Sequence, residues 1–172
     1  MEIIFTLSSI LQSVTISLGV GCSTLAILNF FSAIADGTID ETERRMMGVV
    51  YVVLRVAMVL ILVTTFILGV VTYLQTGSLQ FAPYVGALWT LIAVLYTNAI
   101  LMTLHVVPST IGPSIQASSW YTLGVVTALV PLGLSGFNYG QFFLGYLAAF
   151  LLATALVNGF MAYTKRKKRQ SA

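Results

Sequence analysis

DGTIDETERRMMGVVYVVLR, residues 36–55, decides the fold of this chain. It holds Asp36, Asp40, Glu41 and Glu43, all but one of the acidic residues, together with Arg44, Arg45 and Arg55. From Val56 to Thr164 the sequence contains no Asp, Glu, Lys or Arg. Two overlapping capping boxes, Thr38-x-x-Glu41 and Asp40-x-x-Glu43, mark a helix start. Their acidic first turn suits the positive end of the helix dipole. Asp40 and Arg44, like Glu41 and Arg45, stand four apart in the favourable acid-first order. Upstream, Asp36-Gly37 is a helix end, because glycine accepts the left-handed cap conformation. The stretch is therefore the polar turn of a helical hairpin whose two arms are apolar.

Composition says what surrounds those arms. Charged residues make up 8% of the 172-residue chain and hydrophobic ones 58%, whereas a soluble domain carries about 25% charged residues. A surface this poor in charge faces lipid. The net charge of +3 is no nucleic-acid footprint, since five of the eight bases form the tail Lys165, Arg166, Lys167, Lys168 and Arg169. A basic block after an apolar run reads as a cytoplasmic topology determinant in contact with anionic lipid headgroups. Cys22 is the only cysteine, which excludes an intrachain disulfide and a cysteine metal cluster; it reads as a packing residue. LGVGC is not a lipoprotein cleavage site, because Gly19 replaces the expected leucine and no basic stretch precedes it.

Outward from the hairpin turn, five apolar segments follow the helical pattern: residues 3–35, 46–74, 83–107, 120–136 and 142–164. The first would reach about 50 Å as one helix, longer than the ~30 Å hydrocarbon core, so it tilts, bends or projects. Ser9, Ser13, Ser17 and Gly21 recur every fourth residue on it, a small-residue ladder expected to receive another helix. Pro83 suits the first turn of the third segment, and Tyr84 and Trp89 sit where an aromatic belt lies. Residues 108–119 (PSTIGPSIQASS) read as a loop or short interfacial segment, and Pro131 as a kink inside the fourth span. Arg44-Arg45 and the 165–169 tail belong on one side, so an even number of crossings separates them. The expected fold is an all-α membrane protein, a single bundle of five transmembrane helices over residues 1–164. Its N-terminus is outside, and the 165–172 tail is cytoplasmic; in a bacterium the membrane is the inner membrane.

Within so apolar a chain, polar outliers are the candidate sites. Arg55 lies in the second apolar run, either near mid-membrane or within snorkelling reach of the interface. Asp36, whose charge opposes the dipole of its own helix, is the candidate ion-pair partner of Arg55. Asn29, Asn98 and Asn158 each precede a span end by a similar distance, which with Arg55 and His105 suggests one polar or ligand-binding layer. Interhelical hydrogen bonding is the simpler use of such asparagines.

Several chemistries are disfavoured. His105, the only histidine, cannot alone ligate haem through two imidazoles or hold zinc, and it reads as an interface residue or helix cap. Residues 36–43 match half an EF-hand loop, but Ile34 falls on a ligand position. No nucleophile motif, phosphate loop, transmembrane carboxylate or retinal-binding lysine is present. No catalytic residue, metal ligand or cofactor is assigned. The expected function is that of a non-catalytic subunit or accessory protein of a membrane complex. Its partners are the bilayer, anionic headgroups, and other subunits or a second copy of itself. A small channel or carrier for a neutral or anionic solute is the alternative, and a membrane-embedded enzyme or cofactor-binding protein the second.

Overall fold

The computed structural model describes the backbone of residues 1–36, 40–78, 82–108 and 111–171, and their side chains except 30, 32–36 and 164–171. The described residues form five helices and no strand: α1 (Glu2–Asp36), α2 (Glu41–Thr76), α3 (Pro83–Thr103), α4 (Ile111–Leu129) and α5 (Tyr139–Ser171). Parts of α1 (Glu2–Asn29) and α5 (Tyr139–Tyr163), with all of α2 and α3, are long and apolar enough to cross a membrane.

Local chemistry fixes the boundaries. At the start of α2, the Glu43 N–H donates to Asp40 Oδ1 (2.6 Å) and the Asp40 N–H to Glu43 Oε2 (3.2 Å), closing the second capping box. Thr38 and Gly37 lie outside the described residues. Among the described residues the Asp40/Arg44 and Glu41/Arg45 pairs form no ion pair. Gly77 ends α2 at φ 68°, its N–H bonded to the Tyr73 carbonyl. Pro83 opens α3 as expected from its missing N–H.

α3 stops at Thr103 rather than at residue 107. His105 adopts φ 58°, its N–H bonds the Met102 carbonyl, and the Val106 N–H bonds Leu101. These are the two bonds of a Schellman cap, with a histidine where glycine is usual. His105→Gly should therefore raise stability by about 1 kcal/mol in chemical or thermal unfolding. α5 begins at a capping box that the sequence reading did not identify: Asn138 and Gln141 each accept the other's backbone N–H at 2.9 Å.

The fourth element departs most from expectation. Residues 111–119, read above as loop, are the first half of α4, and the helix ends at 129 rather than 136. Pro113 falls within the first turn, where the ring is tolerated. Pro131 lies beyond the helix instead of kinking it. Having no N–H, it halts the ladder, and Gly133 (φ 69°) closes the end with Gly133 N–H bonded to Val130 and Leu134 N–H to Leu129.

α4 is the hub: it packs on α1, α3 and α5, while α1 lies along α2. Its inward face is small and polar, with Ser114, Ala117, Ser118 and Ser119 all buried, so neighbouring backbones come close. Gly19 of α1 lies directly against the indole of Trp120. Ile61, Leu91, Leu95, Trp120 and Leu123 fill the centre at 0% exposure. Many hydroxyls are satisfied within their own helices: Thr15, Thr64, Thr72, Thr90 and Thr127 each donate to the carbonyl four residues back.

The predicted ladder of Ser9, Ser13, Ser17 and Gly21 is not the α1 packing face. Ser13, Ser17 and Gly21 are exposed, and Ser13 and Ser17 donate to their own helix. The buried stripe is Ser8, Gln12, Thr15, Gly19 and Ser23. Gln12 Nε2 donates to Thr65 Oγ1 of α2 at 2.9 Å, and both residues are buried. A double-mutant cycle with Gln12→Leu and Thr65→Val should return a coupling of about 0.6–1.7 kcal/mol, the range for hydrogen bonds between membrane helices.

Candidate functional site

The Gln12–Thr65 bond sets the register of the α1–α2 hairpin. Ten residues onward from Gln12, and ten back from Thr65, Cys22 stands level with Arg55. Antiparallel to α2, α3 ends at the same level: Arg55 shares a groove with Met58, Tyr96, Ala99, Thr103 and Leu104. The groove has a volume of about 340 Å³ and is walled almost wholly by apolar atoms. Its base is pinned by Tyr96, whose hydroxyl donates to the Met58 carbonyl at 3.0 Å. Arg55 is exposed at one end, and among the described residues it has no ion-pair or hydrogen-bond partner.

Behind the groove lies the buried polar cluster of the bundle. Asn98 Nδ2 donates to the Gly112 carbonyl at 2.9 Å and approaches Gln116 Oε1 at 3.4 Å, while Gln116 Nε2 reaches Met58 Sδ at 3.7 Å. Met58 thus touches both the groove and the cluster. Gly112 can present its carbonyl here because it has no side chain; a Cβ would lie 2.7 Å from Met102 Sδ.

The five residues expected to form one layer separate into different environments. Asn98 is buried at 3% exposure. Arg55 lies at the groove end, and exposed His105 caps α3 just past Leu104. Asn29 and Asn158 belong to a different level. Phe31 and Phe160 stack with ring centroids 4.1 Å apart, so the C-terminal parts of α1 and α5 run side by side beyond the end of α3. Asn29 is seven residues past Cys22, about 10 Å further along the axis. Asn158 is exposed, and Asn29 is half-buried. The side chain of Asp36 lies outside the described residues, and with it the proposed Asp36–Arg55 pair. Its helical position is fourteen residues past Cys22, about 21 Å along the axis from the level of Arg55.

Gln12, Thr65, Tyr96, Gln116 and Tyr146 carry interhelical polar contacts that the sequence reading missed. Asn98→Ala should cost about 1–2 kcal/mol of stability by removing the buried interhelical bond to the Gly112 carbonyl, whereas Asn158→Ala should change it by less than about 0.5 kcal/mol. Unfolding of the two purified variants in detergent checks the contrast.

Arg44 and Arg45 are exposed at the far end of α2. The side chains of the 165–169 tail lie outside the described residues. Among the described residues no three His, Cys, Asp or Glu side chains come together as a metal site. Comparison with protein-family models, with curated proteins and with solved structures finds no match.

Proposed function

We propose that this chain is a multi-pass integral membrane protein that acts without catalysis, by lateral association with other membrane components. In this reading its N-terminus is outside and its basic tail cytoplasmic, in the inner membrane if the source is a bacterium. The observation that supports it is where the bundle keeps its space. The axis is filled by Trp120, Leu123, Leu91, Leu95 and Ile61, whereas two grooves among the described residues open sideways between helices. A filled axis suits a structural or accessory subunit better than a conduit.

α5 offers the surface for association, with Leu144, Leu151, Leu152 and Leu156 exposed along it. Purification in a mild detergent followed by native mass spectrometry tests the proposal. The expected result is a second polypeptide, or a second copy, at fixed stoichiometry that is lost in Leu152→Gln/Leu156→Gln. A chain that stays alone and catalyses solute flux in proteoliposomes would overturn it. Arg55 in its groove favours the alternative of a carrier for an anionic solute, whose flux Arg55→Gln would abolish.

A further inference from the structure

We infer that the α2–α3 groove is a binding site for a single anionic phospholipid, with one acyl chain lying over Met58, Tyr96 and Ala99 and the phosphate on the guanidinium of Arg55. Three observations converge on that occupant. The groove is apolar along its length and of a size that takes small-molecule ligands. Its residues Val59, Ile100 and Leu104 are exposed, so it opens sideways onto an apolar outer face. Its only charge is a cation at one end, unpaired among the described residues. A soluble anion would satisfy the guanidinium but leave the apolar length uncovered, and a neutral chain would do the reverse. An anionic lipid matches both.

Depth supports the same occupant. α3 contains 21 residues, about 30 Å of helix, close to the thickness of the hydrocarbon core. Arg55 is level with its C-terminal end, at Thr103 and Leu104. A bilayer matched to α3 therefore puts the guanidinium at the headgroup plane and the groove among the acyl chains. Arginine suits the task, since its planar fork pairs with two phosphate oxygens at once.

The inference rests on the membrane reading above but not on the association proposed there. Its test is native mass spectrometry of the full chain in detergent, titrated with phosphatidylglycerol or with phosphatidylcholine of the same acyl length. The wild type should retain one phosphatidylglycerol in preference to phosphatidylcholine. Arg55→Gln should weaken that retention roughly fivefold, to the phosphatidylcholine level, and Arg55→Lys should keep most of it. Ala99→Phe, which fills the groove, should weaken both lipids. Ile100→Trp is a second filling variant should Ala99→Phe lose its helical circular dichroism. Unchanged phosphatidylglycerol retention in Arg55→Gln would overturn the site, as would a loss that follows Arg44→Gln/Arg45→Gln instead. Displacement by inorganic phosphate at concentrations matching the lipid would also overturn it, in favour of a soluble anion. The same spectra report polypeptide partners separately, so failure of the lipid site and failure of the association reading are distinguishable.

Discussion

Gly19→Ala destabilises the bundle by about 3 kcal/mol and lowers its unfolding midpoint by roughly 8 °C. A Cβ at this position would overlap Cε3, Cδ2 and Cζ3 of Trp120. Real carbon contacts are ordinarily 3.5–4.0 Å. The indole cannot retreat, because Trp120 is wholly buried at the centre of the bundle. The strain must therefore push α1 away from α4, opening the neighbouring contact of Ile16 and Val20 with Gly124. In lipid that separation is costly for a particular reason: acyl chains are as apolar as the side chains, so close packing and polar contacts hold the helices together.

Two companions make the measurement specific. Gly21→Ala, with nothing within 4 Å of the added carbon, should change stability by less than about 0.5 kcal/mol. Gly19→Ala combined with Trp120→Leu should cost less than the sum of the two single losses, because the smaller side chain vacates the space. Heating detergent-purified variants and following the fraction that stays monodisperse compares all three. Equal damage from Gly19→Ala and Gly21→Ala would mean that α1 is rotated relative to this packing.

The contrast between those two glycines also shows what was legible in the sequence. Both sit in one apolar helix, and the four-residue ladder through Gly21 is the more regular pattern. Periodicity identifies a small face, but it does not say which face a tryptophan a hundred residues away will choose. Signals that act within a few residues fared better, because their physics is local. The Asp40–Glu43 box and Pro83 at a helix start both appear where the chain announces them. Residues 108–119 misled for the opposite reason. Their serines and Gln116 are polar enough to suggest water, yet in the bundle centre three neighbouring helices surround Ser114, Ser118 and Ser119.

The depth of Arg55 was undetermined because the apolar run of α2 is longer than a bilayer is thick and can slide through it. Only the register against α1 and the end of α3 fixes its level within the bundle. The asparagine layer failed on the same point. Counting back from span ends assumes that all helices end together, whereas α3 stops short while α1, α2 and α5 continue past it.

Thiols introduced by Thr42→Cys and Gln170→Cys, in a Cys22→Ala background, should share one response to a membrane-impermeant reagent, and one at Ser78→Cys should show the opposite. The effect is all-or-none. Applied to intact cells, the reagent should modify residue 78 and leave 42 and 170 untouched until the membrane is opened. Charge placement alone argues weakly for this, since the first turn carries acids beside Arg44 and Arg45. The stack of Phe31 on Phe160 argues independently, because it places the end of α1 beside the C-terminal part of α5. Residue 78, just past the Gly77 cap, lies at the other end of α2.

The weak point is α4, the one helix not apolar enough to be a candidate span by itself. Inserted alone it would expose Gln116 and three serines to lipid; inserted as a hairpin with α3 it would not. The Asn98–Gly112 hydrogen bond joins the two across their antiparallel contact, and Ser119 meets Tyr146 of α5 at 3.0 Å. In the five-span reading α4 would cross with its polar face covered by the neighbours it packs on. If residues 42 and 170 responded from opposite sides, α4 would not cross. The basic tail would then lie across the membrane from Arg44 and Arg45.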